Sequence, residues 1–120
     1  FGVLGHLVEM CEGAGVSASV QLSAVPLLDA QRLRDYHAAG CVPGGARRNW
    51  SSYGHCIAPI EGFTRDILCD PQTSGGLLVS VSPDAADEVA ALLQEAGLPH
   101  RPIGRIVERA VDGAWISITD

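Results

Sequence analysis

The segment from residue 70 to residue 76 carries the densest set of side chains able to do chemistry in this chain. It reads Asp-Pro-Gln-Thr-Ser-Gly-Gly and so joins one carboxylate, one amide and two hydroxyls to two flexible glycines. Such a segment can aim several hydrogen-bond donors at one oxyanion or sugar. It also fits an ordinary connection, because Asp-Pro ends a helix, Thr and Ser bond to nearby backbone, and Gly-Gly lets the chain turn. The spacing alone leaves both interpretations open.

A second glycine-containing segment, residues 43–49, reads Pro-Gly-Gly-Ala-Arg-Arg-Asn. Its two glycines free the backbone to expose N–H groups, and Arg47 and Arg48 can pair with a carboxylate or phosphate in bidentate fashion. A solvated loop whose arginines pair with nearby acidic side chains is the simpler interpretation, and the motif alone favours it.

The cysteines and histidines lack the spacing of a metal site. No CxxC pair occurs, so the ligand spacing of a zinc site is missing. His55 and Cys56 are adjacent in sequence, and adjacent residues seldom place their side chains face to face as a Cys–His nucleophile pair requires. We therefore expect reduced thiols, no resident metal and a cytoplasmic protein. The residues considered are Cys11, Cys41, Cys56, Cys69, His6, His37, His55 and His100.

Composition narrows the classes of function. The 120 residues include 14 acidic and 8 basic side chains, all of the latter arginine, for a net charge of −6. The missing lysine excludes Schiff-base and P-loop chemistry within this chain, and the acidic balance argues against a nucleic-acid surface. No apolar run reaches the roughly 20 residues of a membrane span. We expect one domain over residues 1–120, with neither nucleic acid nor membrane as a partner.

Hydrophobic periodicity and turn residues predict an α+β fold, with a mixed or antiparallel sheet and helices packed on one side of it. The expected core includes Leu7, Val20, Leu33, Leu78, Val79, Val89, Leu92, Ile106 and Ile116. The predicted elements are helices over 3–12, 29–40, 63–69 and 82–97, an irregular loop over 41–62, an interior strand over 77–81, a half-buried strand over 16–22, and a hairpin of strands 103–107 and 115–119 turning at Asp112-Gly113.

Four segments together resemble the selenophosphate synthetase (selenide, water dikinase) family, one of the aminoimidazole-ribotide-synthetase-like enzymes. They are Phe-Gly-Val-Leu-Gly-His-Leu at 1–7, Pro-Gly-Gly with Arg-Asn over 43–49, Ser-Tyr-Gly-His at 52–55 and Leu-Cys-Asp-Pro-Gln-Thr-Ser-Gly-Gly-Leu-Leu at 68–78. The chain is similar to the C-terminal domain of that family. The resemblance implies formation of selenophosphate, AMP and phosphate from selenide, ATP and water, with magnesium.

The resemblance also implies where the reacting groups lie. In the family the reactive cysteine or selenocysteine, its lysine and most of the magnesium-binding aspartates belong to the part that precedes the position of Phe1. An N-terminal ATP-binding domain is therefore the expected partner and is absent from this sequence. We expect a homodimeric parent enzyme that uses ATP and magnesium. For residues 1–120 alone we expect no cofactor, no catalytic residue, no metal ligand and no activity.

The role left for this chain is to form a wall of the substrate site, which we state as a hypothesis. The residues assigned to this wall are Gly2, Gly44, Gly45, Arg48, Asn49, Asp70, Gln72, Thr73, Ser74, Gly75 and Gly76. Two alternatives stay open. One is the C-terminal domain of a related enzyme such as thiamin-monophosphate kinase or a hydrogenase-maturation synthetase, and the other is a binding or dimerisation module without catalysis.

Overall fold

The computed structural model describes residues 1–109 and 113–120. In chain order the elements are α1 (Gly2–Ala14), β1 (Ser17–Gln21), α2 (Ala30–Ala38), α3 (Gly44–Tyr53), α4 (Gly62–Leu68), α5 (Ala86–Glu95), β2 (Gly104–Val107) and β3 (Ile116–Thr119). Short 3-10 turns follow β1 and α3 and precede α5. The α+β class predicted from the sequence is confirmed.

Local signals explain where the first two helices begin and end. α1 ends because Gly15 adopts a left-handed conformation, from which its N–H caps the carbonyls of Cys11 and Glu12. α2 begins at an Asp29 N-cap, whose carboxylate accepts a hydrogen bond of 3.0 Å from the N–H of Arg32. The predicted positions of these two helices and of β1 are confirmed.

The sheet has three strands in the order β2-β1-β3. β1 pairs antiparallel with β2, with Ala18 opposite Ile106, and parallel with β3, with Ala18 opposite Ile116. The sheet is therefore mixed. The predicted hairpin of the last two strands is wrong, since β2 and β3 lie on either side of β1 instead of pairing with each other. Asp112 of the expected turn lies outside the described residues.

One face of the sheet is apolar and carries α1. Alternation along β1 puts Ala18 and Val20 on this face beside Ile116 of β3, and all three are buried. Ser19 and Gln21 of β1 lie on the opposite, polar face, beside Ser117 and Thr119 of β3. α1 contributes Leu4, Leu7, Val8 and Cys11 to the same core, which is completed by Ala46, Tyr53, Cys56, Ile57, Leu68 and Cys69.

The expectation of an irregular loop over residues 41–62 is wrong. α3 occupies Gly44–Tyr53, and a 3-10 turn continues it over Gly54–Cys56. Ala46 and Tyr53 of this helix are buried against the rest of the core. Tertiary packing of one helix face thus outweighs the low helix propensity of its glycines, and Gly44 and Gly45 fall in the first turn, where the cost is small.

The expected interior strand over residues 77–81 is also wrong. The chain there is irregular, with Leu77 93% and Val79 62% exposed. Both neighbouring positions beside β1 are already taken by β2 and β3, so this apolar run has no place next to the central strand.

The helix expected after this run forms with Pro83 in its opening turn, but its apolar face is not buried. Leu92 is 59% exposed and Ile106 of β2 is 45% exposed, so these two and Val79 are wrong as core residues. Leu33, Leu78 and Val89 are half-buried. Among the described residues no helix is long and apolar enough to cross a membrane.

Candidate functional site

The backbone around Cys69 is the point where three distant segments meet. α4 ends at Leu68, and the carbonyl of Cys69 accepts a 2.9 Å hydrogen bond from the Asn49 side-chain amide on α3. Gly2, at the start of α1, lies against the same backbone. A Cβ on Gly2 would come within 2.7 Å of the Leu68 carbonyl oxygen, and its φ of +74° is a conformation that other residues rarely adopt. Glycine is therefore required here.

Tyr53 ties the start of α1 to α3. Its hydroxyl donates a hydrogen bond of 2.5 Å to the Phe1 carbonyl. Gly5 makes room for the ring, because a Cβ there would lie 2.7 Å from Cε1 of Tyr53. Burial, and then the neighbouring Cys69 thiol, raise the pKa of Tyr53 far above its ordinary value. The hydroxyl consequently stays protonated and remains a donor.

The two glycine-containing segments are in contact. A Cβ on Gly45 would lie 2.6 Å from Cγ of Pro71, so the first turn of α3 packs directly on the segment that follows α4. Asp70 lies between this contact and Cys69. Residues 43–49 and 70–76, which are far apart in sequence, therefore border one region of the surface.

This region combines the starts of two helices and an exposed arginine with the Asp70 carboxylate. α1 and α3 both begin here, neither has a side-chain cap, and neither has an acidic residue in its first turn. The positive end of the α3 helix dipole lies at Gly44 and Gly45. The exposed Arg48 adds a full positive charge near Gly44, with its guanidinium 3.7 Å from the position of a Cβ there.

The residues assigned to the wall fall into two groups. Gly2, Gly45, Asn49 and Asp70 lie around Cys69 and Pro71. Asn49 has a structural contact there, since its amide is bonded to the Cys69 carbonyl. The remaining seven are exposed, and they are Gly44, Arg48, Gln72, Thr73, Ser74, Gly75 and Gly76.

Sequence reasoning did not assign site roles to Tyr53 and Cys69, which hold this region together. The signal was the spacing of Asn49 and Tyr53, four residues apart and thus on one face of a helix. In the irregular loop that the sequence predicts over residues 41–62, this spacing carries no such meaning.

The Cys69 thiol is not a nucleophile. It is fully buried, and burial raises its pKa. Burial likewise raises the pKa of Cys11 and of Cys56, while Cys41 is exposed. Across residues 1–109 and 113–120 no three His, Cys, Asp or Glu side chains cluster in a way that could hold a metal ion.

An ion-pair cluster fixes α4 from the other direction. Asp66 on α4 accepts a 2.9 Å hydrogen bond from His37 of α2 and forms a salt bridge of 2.7 Å with the Arg65 guanidinium. Burial pushes the pKa of Asp66 upward, but the hydrogen bonds from His37 and Arg65 outweigh burial and hold it below its ordinary value. The rings of Phe63 and His37 lie perpendicular to each other with centres 5.5 Å apart, and the Arg34 guanidinium lies 4.5 Å from the centre of the Phe63 ring. α2 is thereby anchored to the helix that ends at the site.

Comparison with known proteins gives concordant matches. The family model described as AIR synthase related protein, C-terminal domain, matches residues 1–116. The protein named selenide, water dikinase from Yersinia pseudotuberculosis is 49% identical over 118 residues, which is 98% of this chain and 33% of that protein. The protein of the same name from Pseudomonas putida is 50% identical over 109 residues, or 91% of this chain and 31% of that protein.

The chain thus spans about a third of the length of these curated relatives. The family model matches nearly every residue of the chain, including all three segments that meet at Cys69. The chain belongs to the AIR synthase related protein, C-terminal domain, family.

Proposed function

We propose that this chain acts in the formation of selenophosphate, as the C-terminal part of a selenide, water dikinase. The observation that carries the proposal is identity of 48–51% to several proteins of that name over 88–98% of the chain. The proposed overall reaction converts selenide, ATP and water into selenophosphate, AMP and phosphate, with magnesium as the metal ion.

The proposed role of this chain is to form one wall of the site that holds the ATP phosphates. The uncapped start of α3, an exposed arginine and the exposed Thr73 and Ser74 hydroxyls support this role, because each can donate to a phosphate oxygen. The wall binds and orients the phosphates. It supplies no nucleophile and no proton-transfer group.

The reacting groups are proposed to lie in the part of the enzyme that precedes Phe1. Magnesium is proposed to bind mainly in that preceding part. We propose the preceding part as the intramolecular partner, a homodimer as the complete enzyme and the cytoplasm as its location. Four unpaired cysteines agree with a reducing compartment.

The test is an assay of the protein encoded by the complete gene, supplied with selenide, ATP and magnesium. Selenide-dependent AMP with a selenophosphate signal in phosphorus NMR is the expected result. ADP formed only with thiamin monophosphate would instead show the related kinase, and no nucleotide turnover with either substrate would indicate a non-catalytic module. Residues 1–120 alone are expected to form no AMP.

Alanine variants test the wall separately. Thr73→Ala and Ser74→Ala in the complete enzyme each remove one hydroxyl, at a cost of about 1–3 kcal/mol where that group meets developing charge. This corresponds to a rate lower by about 5-fold to 150-fold. Ser23→Ala, at an exposed position in the turn after β1, is the matched control. Normal rates in both loop variants would show that residues 70–76 are only a connection.

A further inference from the structure

We infer that Tyr53 is a positioning residue of the proposed reaction: its hydroxyl holds the Phe1 carbonyl and thereby fixes the chain that enters α1 against the end of α4. The inference rests on the proposed function. It adds a residue outside the wall that controls how the wall is placed.

The first step is the hydrogen bond itself, which joins two residues that are distant in sequence. Tyr53 is only 9% exposed, and its hydroxyl reaches a carbonyl 52 residues away in sequence. Phe1 itself is 68% exposed, so the buried tyrosine is the fixed end of this contact and the Phe1 carbonyl is the end that it restrains. The Gly5 backbone beside the ring leaves space for this one approach.

The second step is the shared helix face. Asn49 lies one turn before Tyr53 on α3 and holds the Cys69 carbonyl. One helix, α3, therefore makes hydrogen bonds to two segments that are distant from each other in sequence, the start of α1 and the end of α4. The backbones of Gly2 and Cys69 are in direct contact between these two hydrogen bonds.

The third step concerns direction. Phe1 and Gly2 begin α1, and in the proposed enzyme the chain that arrives at Phe1 comes from the part that carries the reacting groups. Holding the Phe1 carbonyl then restrains the direction in which that part of the chain enters α1. A displacement of about 1 Å at a reacting centre can lower a rate by about a hundredfold, so a single hydrogen bond at this junction affects catalysis without touching substrate.

The experiment compares Tyr53→Phe with Tyr36→Phe in the protein encoded by the complete gene. Tyr53→Phe keeps the ring and removes only the hydroxyl, while Tyr36 is 55% exposed and serves as the control. We expect kcat to fall by about fivefold or more in Tyr53→Phe, with the KM for ATP changed by less than about twofold. In residues 1–120, carbon-13 NMR should show a shift of the Phe1 carbonyl in the same variant alone.

The outcomes separate the two proposals. A lower melting temperature with normal kcat in Tyr53→Phe would make the hydroxyl merely structural and overturn the inference. An unchanged Phe1 carbonyl resonance would overturn it at the level of the contact. Absence of selenide-dependent AMP in the unmodified enzyme would overturn the proposed function, and the catalytic role of Tyr53 with it, while leaving the carbonyl measurement to report on the contact.

Discussion

Gly5 is the residue that allows Tyr53 to reach Phe1, and replacing it tests whether the three segments are packed as closely as described. A Cβ at Gly5 would lie 2.7 Å from Cβ of Phe1 and 2.7 Å from Cε1 of Tyr53. Both distances are shorter than van der Waals contact, so Gly5→Ala forces the ring or the first residue to move. Overpacking a close contact of this kind costs about 1–3 kcal/mol.

Gly13→Ala is the matched control, since it makes the same substitution in the same helix. A Cβ at Gly13 would have no neighbour within 4 Å. Alanine is the better helix former at both positions, by about 0.5–1 kcal/mol, and this gain largely cancels when the two variants are compared. The difference in free energy of unfolding between them then reports the cost of the contact alone.

Urea denaturation followed by circular dichroism measures that difference. We expect Gly13→Ala to be about 0.5–1 kcal/mol more stable than the unmodified chain, and Gly5→Ala to be about 1–3 kcal/mol less stable than Gly13→Ala. Equal midpoints and equal slopes for the two variants would refute the close packing of Gly5, Tyr53 and Phe1.

Three further results are expected. Leu68→Ala, at a position 1% exposed, should lower the free energy of unfolding by about 2–5 kcal/mol, whereas Leu92→Ala, 59% exposed, should change it by less than about 1 kcal/mol in the same denaturation assay. The pKa of Asp66 is lowered in the folded state, so its ionised carboxylate stabilises the fold fully above about pH 4, and this stability is lost as pH falls through the folded-state pKa. Asp66→Asn should therefore make the free energy of unfolding less dependent on pH on the acid side of a profile measured from about pH 3 to 6. A thiol reagent should label Cys41 rapidly in the native protein, and Cys41→Ser should abolish this fast phase; rapid labelling of a second cysteine would contradict the burial of the other three.

Local signals made the first part of the fold predictable. The alternation of residues 16–22 is visible in any short window, and so are the Asp29 cap and the glycine that ends α1. The proline at position 71 sets the end of α4 in the same way. Each of these features depends on neighbours within a few residues, which the sequence displays directly.

The misplaced elements depend on contacts that are distant in sequence. α3 looked like a loop because its opening glycines are poor helix formers, and the packing of Ala46 and Tyr53 that stabilises it comes from other helices. Residues 77–81 looked like an interior strand because they are apolar. Whether an apolar run joins a sheet depends on which strands already flank β1, and no window of sequence contains that information.

The candidate site shows the same division. The sequence motifs indicated the glycines and residues 70–76. The contacts that join the three segments instead come from one face of α3, where Asn49 bonds to the Cys69 carbonyl and Tyr53 to the Phe1 carbonyl. Once residues 44–53 are known to be helical, their four-residue spacing makes that shared face evident.

The structure of the complete enzyme with a non-hydrolysable ATP analogue and magnesium tests the central proposal most directly. We predict that phosphate oxygens lie within hydrogen-bonding distance, about 2.7–3.2 Å, of donors in residues 44–48 or 72–76. Phosphates bound entirely by other parts of the enzyme, with both of these segments facing bulk solvent, would contradict the assignment of this surface as a wall of the nucleotide site.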